Sequence, residues 1–375
     1  MTIQYCKKCL FPDSKPDLCF DSEGVCDACR TAERKHGDDD SSIDWGNRAA
    51  LFDDIIADAQ NKANGWYDCI VPVSGGKDSL TQCFVMSRVY GLRVLAVILV
   101  PHIQTEEGIR NLNAVVENLD IDLVRIGVQP TTLKQIRRTA FFKIGNPNYA
   151  EHRVVFAAVA REAFHRKIPL VVWGEDIGIE FGGKVDKDSL ESGDAGNLIN
   201  NDLFHESSFD DLVSDSNISN LFFYNPPTPE DESQFSVKSI YLGFYYWWDG
   251  IKHYNIARQF GFLGRVSGPL PGNHLNFDNI DEKLCEVHAW MKFPKFGFWR
   301  PHDHTSYKIW NDYMTRDEAV KEVCKKQYEP PAYLDEFLEY HEITRHEFDN
   351  YIDSIRNKDI WKKINGKWRL KYELK

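Results

Sequence analysis

Several things are missing from this 375-residue chain. No run of ~18 apolar residues occurs, which is the length a membrane-crossing helix needs. The opening MTIQYCKKCL lacks the apolar core of a secretory signal. Together these point to a cytoplasmic protein with no membrane partner. Positive charge is short: 45 Lys and Arg face 57 Asp and Glu, a net charge of -12. That balance weighs against a dedicated nucleic-acid binder, so no nucleic-acid partner is expected. No internal repeat is visible. The common triphosphate loop, Gly-x-x-x-x-Gly-Lys-Ser/Thr, is also absent.

What is present supports a folded enzyme. Hydrophobic residues make up 42% of the chain, enough for a real core. Its length suits two or three domains, or one large domain with attachments. From residue 67 to 180, short apolar runs alternate with helical patterns. Strands are expected at 67–73, 92–100, 122–128 and 168–176. Helices are expected at 47–63, 78–91, 105–119, 131–145 and 149–167, with Ser41, Ser42 or Asp44 capping the first and Thr105 the third. This alternation predicts an α/β fold with a doubly wound parallel sheet. Around it lie a cysteine module at 1–36, a linker and helix at 37–66, an irregular insertion at 181–235, and a helical, aromatic-rich C-terminal region at 236–375. The insertion reads either as a lid or interface or as disorder. The aromatic stretch YLGFYYWWDG (241–250) reads as core packing, with a substrate wall as the alternative. The basic tail finishes a helix or forms a small hairpin around its Asn-Gly pair.

Nine cysteines without a secretion signal read as thiols or metal ligands. Cys6 and Cys9, then Cys26 and Cys29, make C-x2-C-x16-C-x2-C. That is the spacing of a four-thiolate zinc site, closed and therefore structural. Cys19, between the pairs, is a substitute ligand or an ordinary thiol. Cys69 reads as a core residue, and Cys83, Cys285 and Cys324 lack any redox-pair context.

The stretch VPVSGGKDSL (71–80) places a glycine turn between a buried strand and a helix start. Gly75 and Gly76 let the backbone approach a ligand closely. The helix N-terminus and the Ser74 and Ser79 hydroxyls form an anion site. Lys77 can meet a phosphate, and Asp78 suits either the helix dipole or a Mg²⁺ ion.

SGGKDS resembles the pyrophosphate-binding loop of the ATP pyrophosphatase (PP-loop) superfamily, whose sheet is of the adenine nucleotide alpha hydrolase type. Within it the chain resembles the N-acetyl sugar amidotransferases of bacterial surface-glycan synthesis. The likeness covers CKKCLFPDSKPDLCFDSEGVCDAC, SGGKDS, WGED (173–176), YLGFYYWWDGIKHYNIARQFGF (241–262) and KFGFWRPHDHTSYKIWNDYMTRDEAV (295–320). Trp299 and Pro301 depart from that family, where smaller residues are usual. The resemblance implies that ATP adenylates the oxygen of an acetamido group on a nucleotide-activated sugar, as for an O-antigen or flagellin glycan. Pyrophosphate leaves, and ammonia from a separate glutaminase subunit displaces AMP to give an acetamidino group. The implied cofactors are ATP, Mg²⁺ and structural Zn²⁺. Val73, Ser74, Gly75, Gly76, Lys77, Asp78, Ser79, Leu99, Val100 and Gly174 would bind ATP, with Leu99 and Val100 lining the adenine. Lys77, Asp78, Glu175 and Arg300 would be catalytic. Asp78 and Asp176 are the candidate Mg²⁺ ligands, and a helix cap is the alternative for Asp176. His152, Arg153, Asp303 and His304 are candidate substrate contacts, with a solvated helix face as the alternative for the first two. Two other readings use the same loop. One is a tRNA 2-thiolation enzyme, which needs further cysteines. The other is a nucleotide sensor without turnover.

Overall fold

Side chains of the two central strands alternate between two apolar layers. Cys69, Val71, Val94, Ala96 and Ile98 enter one layer, while Ile70, Leu95 and Val97 enter the other. Strands covered on both faces read as unbroken apolar runs, which is why IVPV and VLAVIL lack polar alternation. The computed structural model describes residues 3–39, 41–63, 65–185, 187–196, 209–214, 218 and 220–374.

In chain order the elements are α1 (Asp27–His36), α2 (Trp45–Lys62), β1 (Cys69–Pro72), α3 (Lys77–Phe84), β2 (Val94–Leu99), α4 (Glu106–Leu119), β3 (Asp122–Ile126), α5 (Pro130–Ile144), α6 (Tyr149–Arg166) and β4 (Leu170–Trp173). They continue with α7 (Ile177–Phe181), α8 (Lys187–Ser192), α9 (Phe209–Val213), α10 (Pro229–Gln234), β5 (Lys238–Tyr241), α11 (Leu242–Tyr245) and α12 (Gly250–Arg258). The last third holds α13 (Cys285–Phe296), α14 (Arg300–Trp310), α15 (Arg316–Lys326), α16 (Leu334–His341), α17 (Arg345–Ile355), β6 (Trp361–Ile364) and β7 (Lys367–Leu370).

The main sheet has the order β3-β2-β1-β4-β5 and all its pairs are parallel. The chain builds outward from β1 to β3, then returns to the other side of β1. The reversal leaves a crevice between the carboxyl ends of β1 and β4, the place where open α/β sheets bind ligands.

All four expected strands and five expected helices form. Asp44 is the cap of α2, accepting from the Asn47 amide at 2.9 Å, and Thr105 caps α4. Two features differ from expectation, and the aromatic stretch follows its core reading. The helix after the glycine loop gives way at Val85–Val89 to a π turn. The fifth strand, β5, is hidden in a four-residue edge segment that follows the insertion. Much of YLGFYYWWDG is core, with Leu242, Phe244, Tyr245 and Trp248 buried in one cluster. The tail is the hairpin β6–β7, turned by Asn365 and Gly366 at φ of 49° and 77°.

Part of the expected insertion, at 186, 197–208, 215–217 and 219, lies outside the described residues, and with it the choice between lid and disorder. The described part packs down: Phe209, Leu212 and Tyr224 join the core beside α6. The C-terminal region is packed against the rest. Phe141 of α5 meets Phe337 and Phe348, while Phe11 of the cysteine module meets Phe298 and Trp310.

Candidate active site

The glycine loop leaves β1 and opens α3 at the switch crevice. Val73 carries the sheet one step further, its amide donating to Val97 at 2.8 Å. Gly75 then adopts φ of +93°, and a Cβ there would stand 2.6 Å from the Gly108 carbonyl oxygen. Both the dihedral and the contact require glycine. Ser79 Oγ accepts from the Ser74 amide at 3.4 Å and donates to the Gly76 carbonyl at 3.1 Å. The loop is thus tied to the first turn of α3, where helical amides have no intrahelical acceptor and favour an anion.

Charges from distant parts of the chain converge on this loop. Lys77 Nζ lies 2.8 Å from Asp78 Oδ2 and 3.6 Å from Asp278 Oδ1, above the Phe277 ring. Its stem passes so close to Gly250 that a Cβ there would sit 2.8 Å from Cε. His253 Nδ1 donates to the other Asp78 oxygen at 2.7 Å, and its ring stands edge-on to Trp248 at 4.5 Å. Asp278 is itself held by Arg300 at 3.1 Å and His304 Nε2 at 2.8 Å. The His274 amide donates to His304 Nδ1, so the neutral ring carries its proton on Nε2, towards Asp278.

These contacts separate the carboxylates electrically. Burial works against charge on Asp78, but Lys77 and His253 outweigh it and bring its carboxyl down to about 2. Asp278 is likewise held well below the ordinary range, against burial, by Arg300, His304 and Lys77. Glu175, at the end of β4, lacks such partners. Burial and the Asp78 charge push it up to about 8. Asp281 is pushed up to about 6, mainly by burial, although Ser74 bonds to it. Near neutral pH the crevice therefore holds an ionised Asp78 beside a protonated Glu175, a split that separates acid and base roles.

Not every expected site residue gathers here. Ser74, Gly75, Gly76, Lys77, Asp78, Ser79, Arg300 and His304 do. A Cβ on Gly174 would meet the Trp248 ring at 3.1 Å, so this position lets the aromatic wall close over β4. Leu99 is buried in the core, while Val100 is half-buried at the end of β2. Asp176 is occupied as the cap of α7: Oδ1 accepts from the Gly178 and Ile179 amides and Oδ2 from Ser189. Asp303 pairs with Lys292 at 2.5 Å. Arg153 anchors the insertion, donating to the Tyr224 carbonyl at 2.9 Å and stacking on Phe209. The His152 ring lies 6.4 Å from His288. Neither His152 nor Arg153 is on a solvated face. Trp299 is wholly buried against Gly272, a core role that explains its bulk. His253, Asp278 and Asp281 escaped the sequence reading. His253 lies inside a quoted stretch, but no local pattern marks it.

Residues 254–375 match the family described as LPS biosynthesis protein WbpG-like, C-terminal domain. The last third of the chain is thus similar to that C-terminal domain. No curated protein matches the chain. Among solved structures, the NH3-dependent NAD synthetase of Campylobacter jejuni is 14% identical, covering 60% of this chain and 99% of its own, at a TM-score of 0.31. The NMN synthetase of Francisella tularensis is 15% identical, covering 58% and 94%, at 0.29. The U34-tRNA thiolase NcsA of Methanococcus maripaludis, solved with its 4Fe-4S cluster, is 14% identical, covering 84% and 88%, at 0.31. Superpositions this loose carry no argument about chemistry, and the sheet order rests on the strand pairing itself. The matched residues, 254–375, supply Asp278, Asp281, Arg300 and His304, so they form one wall of the crevice.

These residues also close the cysteine module. The sulfurs of Cys6, Cys9, Cys26 and Cys29 lie within 4.8 Å of one another, with Cys6–Cys29 at 3.7 Å and Cys9–Cys26 at 3.6 Å. A tetrahedron of sulfurs about 2.3 Å from a zinc ion has edges of about 3.8 Å, so the four residues fit one such ion. Amides of Lys8, Phe11 and Cys26 point at these sulfurs, and the indole N–H of Trp310 donates to Cys29 at 3.2 Å. Donors of this kind orient and stabilise ligating thiolates. Cys19 is exposed and outside the group.

Proposed function

We propose that this chain is an ATP-dependent, AMP-forming amidotransferase. It converts an acetamido group of a nucleotide-activated sugar to an acetamidino group for lipopolysaccharide or related surface-glycan synthesis. The observation that carries this reading is the convergence of the SGGKDS loop and the WbpG-like wall on one crevice, through Lys77 and Asp278. The loop supports pyrophosphate chemistry, and the wall supports a glycan substrate.

Amide oxygen is a poor leaving group and must be activated. In the proposed sequence it attacks the α-phosphorus of ATP, an oxygen–phosphorus bond forms, and the bond to the departing pyrophosphate breaks. The loop amides, Ser74 and Ser79 bind that pyrophosphate, and Lys77 offsets the charge it gains. Ammonia then attacks the imidate carbon, and the carbon–oxygen bond to AMP breaks. Glu175, once deprotonated, takes the proton that the nitrogen loses, its raised pKa matching the task. Asp278, Arg300 and His304 keep Lys77 placed between its carboxylates. Asp78 is the residue that would hold Mg²⁺, which would neutralise phosphate charge when bound. The cysteine module holds Zn²⁺ as a structural ion. Ammonia comes from a separate glutaminase subunit. Thiolation is less well supported, because Cys69 and Cys83 are buried in the core and Cys324 is exposed.

The test is incubation with ATP, ammonium and a panel of UDP- and CMP-linked N-acetyl sugars labelled with heavy oxygen in the acetamido group. The expected products are pyrophosphate, AMP carrying the label, and a sugar about three mass units lighter than the labelled substrate, or about one lighter than the unlabelled one. Release of ADP, or unlabelled AMP, would sink the proposal.

A further inference from the structure

Beside α14, three ammonium groups rest on one aromatic shelf. Phe11 and Phe298 meet edge-on at 5.5 Å, and Phe296 lies 6.3 Å from Phe298. Lys15 Nζ stands 5.6 Å from the Phe11 centroid, Lys292 5.1 Å from Phe298, and Lys295 5.3 Å from Phe296. Two distant segments build this group. Lys15 comes from the cysteine module. His288, Lys292 and Lys295 recur at helical spacing on one face of α13. All four side chains are half-buried.

The shelf is short of negative charge. Lys292 is paired with Asp303 at 2.5 Å. Lys15 and Lys295 reach only backbone carbonyls, those of Gly182 and Gly145, and neither is ion-paired with a carboxylate among the described residues. Burial and the neighbouring Lys292 push Lys295 down to about 8. Burial also lowers Lys15, where Asp303 opposes the shift, Lys292 adds to it, and Asp27 and Cys26 oppose it in turn. Cations that repel one another on an apolar bed are stabilised by an anion placed among them. A second sign is independent of charge. His288 Nδ1 and His302 Nε2, on the same two helices, are buried without a hydrogen-bond partner.

Two lysines without acid partners call for a ligand with at least two negative charges and several acceptor oxygens. Phosphate groups meet that need, and lysine binds them as a point charge. Asp303 links the shelf to the crevice. It lies next to His304 on α14 and points to Lys292, whereas Arg300 and His304, four residues apart, point to Asp278. The first turn of α14 thus stands between the shelf and the adenylating loop.

We propose that Lys15, Lys292 and Lys295 bind the diphosphate bridge of the nucleotide-linked sugar, the second substrate. This rests on the reading of the reaction given above, so binding is tested apart from turnover. The metal-loaded full chain is first saturated with a non-hydrolysable ATP analogue, which fills the glycine loop. UDP, UMP, CMP and glucuronate are then titrated calorimetrically into wild type, the Lys292→Met/Lys295→Met pair and Lys15→Met. Methionine keeps the aliphatic stem over the rings. UDP should bind more tightly than the monophosphates, lose affinity as salt rises, and weaken roughly tenfold or more in the paired variant. Affinity for the ATP analogue should stay unchanged. In turnover, the KM for the sugar nucleotide should rise while kcat holds. UDP binding that ignores all three lysines would overturn the proposal. So would glucuronate binding as tightly as UDP and depending on the same lysines, which would give the shelf to a carboxylate. If UDP binds the shelf but no AMP forms with any sugar nucleotide, the site stands and the proposed reaction falls.

Discussion

Glu175 is the residue whose surroundings most constrain its chemistry. Its carboxyl has no cation as close as the one Asp78 has in Lys77, and burial with the Asp78 charge holds it up to about 8. Because this is above the unfolded value of 4.5, the folded chain keeps a proton that the unfolded chain loses. Its contribution to stability is therefore complete below pH 4.5 and is lost as pH rises towards 8. Without nucleotide or Mg²⁺, the melting temperature of wild type should fall across that window more steeply than that of Glu175→Gln. Equal slopes would remove Glu175 as the cause. In turnover, Glu175→Gln should lower kcat by ~100-fold or more, the usual worth of a general base. Asp278 offers a second test. Asp278→Asn leaves Arg300, His304 and Lys77 without their shared anion, so chemical denaturation should show a loss of about 3 kcal/mol. AMP formation should drop with it. The candidate site was half legible in the sequence, and these residues show why. Lys77 and Asp78 stand in a compact motif that carries its own chemistry. His253 reaches Asp78 across 175 residues, and Asp278 lies further along still, in an acidic loop with no spacing signal. Only folding brings them together.

At the scale of elements, β1 and α3 were legible because apolar run, glycines and helix start follow one another without interruption. Gly75 is the hinge of that unit, and its predicted substitution effect is sharp. Alanine would need φ near +93° and would press on the Gly108 carbonyl, which is itself wedged against Asp281. Gly75→Ala should therefore displace the loop from α4, costing about 1–3 kcal/mol of stability and weakening ATP binding together. Calorimetric titration with ATP checks this, and unchanged affinity would mean that the loop tolerates the shift. Strand β5 shows the opposite case. Only four residues long, it pairs with β4 on one side and on the other is bridged by residues 193–195, where the Tyr241 amide donates to the Gly193 carbonyl at 2.8 Å. Its segment, KSIY, is too short for periodicity to separate strand from loop. Its place is fixed by its ladder with β4 and by the Trp173 indole, which donates to Ser239 Oγ at 2.8 Å, contacts no local reading reveals. The hairpin β6–β7 was legible by contrast, since Asn-Gly meets a two-residue turn's need for positive φ at both positions.

Across the whole molecule, the cysteine module acts as a clamp between α7 and the C-terminal helix α14. Cys6, Cys9, Cys26 and Cys29 share one apolar cluster with Phe11, Phe298 and Trp310. Trp310 also bonds directly to the Cys29 sulfur through its indole N–H. Lys35 of α1 pairs with Glu180 of α7, only a few residues from Glu175, so the module reaches towards the crevice from a second side. Removing the ion would leave four buried sulfurs facing one another with no central charge, and the cluster would loosen where α14 packs. Chelation should therefore lower the melting temperature by on the order of 5 °C or more. Cys9→Ser should do the same without chelator. Because α14 also carries Arg300 and His304, metal loss should weaken the hold on Asp278 and reduce activity as well, in proportion to unfolding near α14. Trp310→Phe separates the two effects: it keeps the aromatic packing and removes only the donor to Cys29. It should lower metal affinity, read by competition with a chromogenic chelator, while leaving the metal-loaded chain fully active. If instead the chelated chain melts like the loaded one, the four sulfurs do not carry a structural ion and the clamp is aromatic packing alone.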